Sequence, residues 1–264
     1  MRTYFQLAVA GFRRYSTYRL AILAGVFTQS VFGFIRVSVL FAAIAMAGGE
    51  LAGYDQQQAS TYVWLGQALL APLAMFGWSE LAERIKNGDI AVDLARPVDM
   101  QLAWWAADLG RALFQLLTRG LAPLVIGAIT VGIALPGSWT AYPLGVISIL
   151  LGVSLSFLLR FGMNLIAFWT IDIRGFIGLY FVVVAPFSGI YVPVHLFPDW
   201  LKTIAYATPF PSLLQFPIDV LSGRVLGADA LLVVAMQVGW FVLLLVATRW
   251  LMSRAAQKLV VQGG

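Results

Sequence analysis

Three lysines, one histidine and no cysteine leave this 264-residue chain few residues suited to covalent or metal chemistry. A nucleotide-binding loop needs Gly-Lys-Ser/Thr, so that backbone amides and the lysine together hold phosphates. Lys86, Lys202 and Lys258 follow Ile85, Leu201 and Gln257 instead, so the chain is expected to hydrolyse no ATP by itself. A hydrolytic metal needs several His, Asp or Glu ligands converging on one point. His195 has no carboxylate pair beside it at ligand spacing, and without cysteine there is neither a thiolate site nor a disulfide, so no metal is expected. Ser188 in Pro186-Phe187-Ser188-Gly189, near His195, is the nearest approach to a nucleophile and base. An intramembrane serine hydrolase would want glycine where Pro186 stands, and His195 reads better as an interfacial residue, so no catalytic residue is assigned.

The other chemistry-bearing residues are polar groups inside apolar runs: Gln29, Arg36, Gln67, Arg160 and Asn164. A centred arginine costs roughly 2.5 to 3.5 kcal/mol on insertion scales, so such groups turn toward protein or water. Together with the aromatic residues Phe32 and Trp64, they are the candidates for a path through the membrane. Each has a plainer reading. Arg36 snorkels outward and Arg160 inward, the amides bond neighbouring helices, and the aromatic residues pack. Both readings stay open on sequence grounds.

One segment breaks the apolar character. Ser79 to Asp99 holds eight charged residues (Glu80, Glu83, Arg84, Lys86, Asp89, Asp93, Arg96 and Asp99) in a chain that is 61% hydrophobic and 11% charged. A soluble domain carries about 25% charged residues, so the class is a polytopic membrane protein. The segment has the makings of a short helix. Ser79 caps it, Glu80 and Glu83 lie near its positive end, Arg84 and Lys86 lie near its negative end, and Gly88 stops it.

The elements that must position these residues are helices of about 20 apolar residues, the length that crosses a slab of roughly 30 Å. Six are expected: Leu20 to Met46, Tyr62 to Trp78, Gly120 to Leu135, Pro143 to Ile166, Phe176 to Val192, and Ala230 to Thr248. Gln101 to Arg119 reads as an interfacial segment or as the lower end of a long third helix, with Asp108 and Arg111 pairing at i, i+3. Ahead of the first span, Phe5, Ala8, Val9 and Phe12 recur at helical spacing while Arg13 and Arg14 suit anionic headgroups, which predicts an amphipathic helix along the inner surface rather than a cleaved signal. Lys and Arg translocate poorly. They cluster before span 1, between spans 2 and 3, after span 4 and after span 6, whereas Ala47 to Thr61 and Pro136 to Tyr142 hold none. Both termini and the charged segment are therefore expected in the cytoplasm. Pro193 to Pro217 carries five of the 11 prolines, which break a continuous helix. A short amphipathic helix between Pro198 and Thr208, half dipped into the outer side, fits that stretch.

This layout, with Gly88-Asp89-Ile90 running to Leu94-Ala95-Arg96-Pro97-Val98-Asp99, and Ser188-Gly189, Pro193, Phe197-Pro198, Trp200-Leu201 and Pro209-Phe210 after span 5, resembles the ABC-2 class of ABC transporter permeases, the type V exporter fold. The resemblance covers essentially the whole chain. It implies an all-α polytopic membrane protein of six transmembrane helices. To these it adds an amphipathic N-terminal interfacial helix (1–19), a cytoplasmic coupling segment (79–100) between spans 2 and 3, and a broken re-entrant external segment (193–225) between spans 5 and 6. It also implies a second permease subunit, identical or homologous, and separate ABC ATPase subunits that bind ATP and Mg, in a bacterial inner membrane. Membrane lipid is a partner and nucleic acid is not. In the resemblance, Ser79, Glu80, Glu83, Arg84, Lys86, Gly88 and Asp89 carry the coupling to the ATPase, and the complex is an exporter. Apolar and aromatic residues along the path suggest an amphipathic small molecule, drug or lipid as its substrate, although permeases of this class also move polysaccharides and peptides. An importer loop is echoed by Glu80, Ala82, Gly88 and Pro97, but the glycine-to-proline interval is shorter than that pattern wants. The alternative class is an ATP-independent carrier or an intramembrane enzyme.

Overall fold

Helices account for 78% of the computed structural model, which describes residues 2–16, 19–75, 80–170 and 172–258 and contains no strand among them. The described helices run α1 (Arg2–Tyr15), α2 (Arg19–Met46), α3 (Gln56–Leu73), α4 (Glu80–Lys86), α5 (Ile90–Leu94), α6 (Met100–Gln115), α7 (Leu121–Thr130), α8 (Ala141–Leu165), α9 (Arg174–Phe187), α10 (Asp199–Tyr206), α11 (Gln215–Leu221) and α12 (Gly227–Ala256). A π-helical turn, Leu116–Gly120, joins α6 to α7 without a break. Four stretches are long and apolar enough to cross a membrane: Leu20–Met46, Met100–Thr130, Ala141–Phe168 and Gly227–Ala256.

Each of the six expected spans overlaps a described helix, but α3 and α9 are not among these four. α9 ends at Phe187 rather than Val192, and its 14 residues reach only about 21 Å at 1.5 Å per residue. It stops there because Gly189 adopts φ +85°, a left-handed turn that ends the helix. α3 is displaced toward the N-terminus of the expected Tyr62 to Trp78: Asp55 caps it by accepting from the Gln58 amide at 2.7 Å, and it ends at Ala74 in the left-handed region. Residues 76–79 lie outside the described set, and with them the Ser79 cap. α3 is less apolar because its neighbours are protein rather than lipid. Twelve of its residues are buried, Gln67 and Trp64 completely, against α2, α7, α8 and α11. For the third span the structure chooses the long helix: Met100 to Thr130 is continuous, and Gly120 to Leu135 was too short a reading of it.

Small residues set how closely the helices approach. α1 lies across α6, where a Cβ on Gly11 would sit 2.1 Å from the Ala107 carbonyl oxygen and one on Gly110 would sit 1.8 Å from that of Ala8. Backbones can touch only because both positions are glycine, the usual device of helix pairs in a lipid environment. At that contact Gly11 is buried and Phe12 packs edge-on against Phe114, while Phe5 is 71% exposed. Between α8 and α12, Gln237 donates to the carbonyls of Ser148 and Ser212 and accepts from the Ser148 hydroxyl at 2.7 Å. Such interhelical bonds are worth about 0.6 to 2 kcal/mol each in a membrane.

Candidate functional site

α4 sits at one end of the bundle, under the C-terminal end of α8. Its seven residues place Glu80 and Glu83 in the first turn and Arg84 and Lys86 in the last, with Gly88 at φ +80° ending the run, which is the charge order a helix dipole favours. One face is fastened. Leu81 and Ala82 are buried beside Phe157, Phe161 and Leu165, Arg14 of α1 donates to both Glu80 carboxylate oxygens at 3.0 Å, and Arg84 bonds Asp93 at 2.8 Å. The other face is open. Glu83, Lys86, Asn87, Gly88 and Asp89 are exposed, continued by Val92 at 58% exposure on α5. Asp89 stands at the start of α5 without making a side-chain cap. The segment then closes onto α6 and α12: Asp99 caps α6 by accepting from the Leu102 amide at 2.8 Å and pairs with Arg249. Burial raises the Asp99 carboxyl, but Arg249 and the Leu102 amide outweigh it and hold it below its ordinary range.

Asn164 ties this element to the interior. Its amide oxygen accepts from the Ala82 backbone N–H at 3.1 Å, and its amide nitrogen donates to the Arg160 carbonyl at 2.7 Å. Arg160, 3% exposed, extends to Asp108 at 3.0 Å, and Arg111 reaches the same carboxylate at 2.7 Å while donating to the carbonyls of Ala71 and Pro72 at the end of α3. One buried aspartate thus joins α6 to α8, and Arg111 carries the link to α3. The i, i+3 pairing of Asp108 and Arg111 was visible in the sequence, whereas the third partner, 52 residues on, was not.

Arg111 and Arg160 line a cavity of about 590 Å³ between α2, α3 and α6, and so do Gln29, Phe32, Arg36 and Gln67. Five of the seven residues proposed for a path therefore meet in one space. Gln115 and Arg119 join them from α6 and the π turn, both missed because the sequence placed them at the foot of the third span. The signal was available in the i, i+4 spacing of Arg111, Gln115 and Arg119. Arg36 and Tyr191 also line a second, apolar chamber of about 250 Å³ walled by Val39, Leu40, Ile190 and Leu214. The two remaining candidates lie elsewhere. Trp64 is fully buried between Gly33 and Gly127, with Phe34 edge-on at 5.1 Å, and it packs. Asn164 belongs to the α4 anchor described above.

The proline-rich segment folds as short helical pieces rather than as open loop. α10 matches the expected amphipathic helix, and a 3-10 turn at Val194–Leu196 leads to it. These pieces are held by a buried polar knot. Gln215 accepts from the Val194 amide and the Tyr62 hydroxyl at 2.9 Å and donates to Asp219 at 2.8 Å, and Asp219 meets His195 Nε2 at 2.8 Å. Tyr206 lies 3.3 Å from His195 Nδ1, and its phenol is pushed up to about 12 by burial and then by Asp219. Ser188 donates to the Ala185 carbonyl instead of pairing with His195, so a serine–histidine dyad does not form. Among the described residues no three His, Cys, Asp or Glu side chains converge as metal ligands.

A family model described as "ABC-2 family transporter protein" matches residues 27–263. Comparison with curated proteins returns no match.

Proposed function

Since the chain belongs to the ABC-2 transporter family, we propose that it is the membrane-spanning permease subunit of an ATP-driven exporter, worked by separate ATPase subunits that bind ATP and Mg. In this reading α3 and α9 cross the membrane beside the four long apolar helices, which gives six spans in a bacterial inner membrane with both termini and α4 in the cytoplasm. A second permease copy, identical or homologous, lies alongside. The exposed apolar flank of α2 (Leu23, Phe27, Ile35 and Val39) meets that copy or lipid.

One observation carries the reading: a short helix with an exposed charged face is hydrogen-bonded, through Asn164 and Arg160, to the wall of a cavity inside the bundle. A rigid charged face gives a docking register and electrostatic complementarity to a partner. Closure of that partner would push on α4, and the Asn164 link would carry the push to the end of α8 and the Asp108 cluster. The cavity has a size suited to a small amphipathic molecule, since ligand sites run from about 300 to 1,000 Å³. The chain supplies no catalytic group of its own. The reading is tested by purification in mild detergent: the isolated chain hydrolyses no ATP, and a P-loop ATPase co-purifies from native membranes. Exchanging the charges of the open face (Glu83→Lys with Lys86→Glu) releases that ATPase while the chain stays folded. A chain that transports in reconstituted vesicles under an ion gradient, without any ATPase, would refute the proposal.

A further inference from the structure

The cavity between α2, α3 and α6 holds more positive charge than its walls neutralise. Arg111 is paired with Asp108, and Arg160 with the same carboxylate, but among the described residues neither Arg36 nor Arg119 has a carboxylate within ion-pair reach. Arg119 lies across Gly25 at the inner part of α2, where only a glycine leaves room for it, and its buried Nε has no hydrogen-bond partner. Arg36 stands 11 residues further along α2, about 16 Å by helical rise, with the Tyr191 ring 6.0 Å from its guanidinium. Between them the wall carries amides with unused capacity. Gln67, 0% exposed, has neither amide atom bonded, and the side-chain oxygens of Gln29 and Gln115 are likewise unpartnered. Buried polar atoms of this kind are costly to leave unbonded, and a modest turn of these side chains would bring them to the cavity beside them. Guanidinium groups match the geometry of phosphate and carboxylate oxygens, and the amides suit the ester and hydroxyl groups beside such a head.

The neighbouring chamber supplies the other half of a ligand. It is apolar and shares Arg36 and Tyr191 with the polar cavity, so a molecule seated at that junction has its charge on one side and hydrocarbon on the other. We propose that the cavity binds an anionic amphiphile, its phosphate or carboxylate head held by Arg36 where the two spaces meet and its apolar part entering the second chamber, while Arg119, deeper in the polar cavity, adds positive charge that favours an anion there. This rests on reading the cavity as the substrate path, and it names the charge of the substrate.

Binding is measured on the full chain in nonionic detergent without its ATPase, so the result is independent of the partner test above. The probes are dihexanoyl phosphatidic acid, dihexanoyl phosphatidylcholine and inorganic phosphate, followed by native mass spectrometry. The phosphatidic acid is expected to bind at least about tenfold tighter than either of the others, with Arg36→Gln weakening it about tenfold, the loss of one charge-assisted contact, and Arg119→Gln, whose charge acts at a distance, weakening it about threefold. Arg36→Lys and Arg119→Lys keep most of the affinity, and Arg174→Gln, at an exposed site away from the cavity, leaves it unchanged. Should a Gln variant fail to fold, Gln67→Leu in the same wall replaces it, with a loss of about threefold or more expected. Equal binding of the choline lipid would overturn the charge assignment, equal binding of inorganic phosphate would overturn the amphiphile, and affinity unmoved by folded variants would overturn the site.

Discussion

At the scale of single residues, Asp108 is the point where α6 and α8 are joined. Two guanidiniums, Arg111 and Arg160, converge on this carboxylate, which is 5% exposed. Removing one member of a buried charge cluster costs about 3 to 5 kcal/mol, because the charges left behind lose their compensation. Asp108→Ala should therefore lower the thermal unfolding temperature in detergent far more than Asp89→Ala on the open face of α4. Asp99 makes a pH prediction. Its carboxyl is held below the ordinary value of 3.8, so its pairing with Arg249 contributes fully at neutral pH. That contribution falls only as the pH drops through the depressed value. Stability measured from pH 7 downward should keep this contribution to below about pH 4, and Asp99→Asn should lack it at every pH. Single-residue chemistry was partly legible in advance. Gln29, Arg36, Gln67 and Arg160 stood out because polar groups in apolar runs are costly, and they do share one cavity. Trp64 could not be told from a lining residue, since an aromatic side chain packed between Gly33 and Gly127 looks the same in sequence as one facing a void.

At the scale of elements, the charge order of Glu80 to Lys86 and the glycine after it were enough to place α4, because capping and dipole effects are local. The anchor beneath it was not legible. Asn164 reaches α4 from 82 residues away, and no local pattern encodes such a partner. The same holds for α1: its helical period was evident, but the Gly11 and Gly110 contact that sets its rotation depends on a surface 96 residues on. That contact makes a sharp prediction. Gly110→Val would drive a side chain into the Ala8 carbonyl, so α1 should lift from α6 and trypsin should cut after Arg13 and Arg14 several times faster in membranes. Gly175→Val, where a Cβ meets nothing within 4 Å, should leave the cutting rate unchanged.

At the scale of the whole molecule, a polar and an apolar chamber lie along α2, and α4, at the C-terminal end of α8, is joined to the wall of the polar one by hydrogen bonds. We propose that the open face of α4 is where a separate ATPase grips the permease. Disulfide or maleimide crosslinking from a Lys86→Cys variant in native membranes tests it most directly, since the chain has no cysteine of its own. Trp139→Cys, on the loop at the opposite end of α8 and 87% exposed, is the control. One dominant adduct is expected at position 86, identified by mass spectrometry as a protein with a Gly-Lys-Ser/Thr phosphate loop, its yield changing when ATP is added, and no such adduct at position 139. The same adducts at both positions, or no nucleotide-binding partner at position 86, would contradict it.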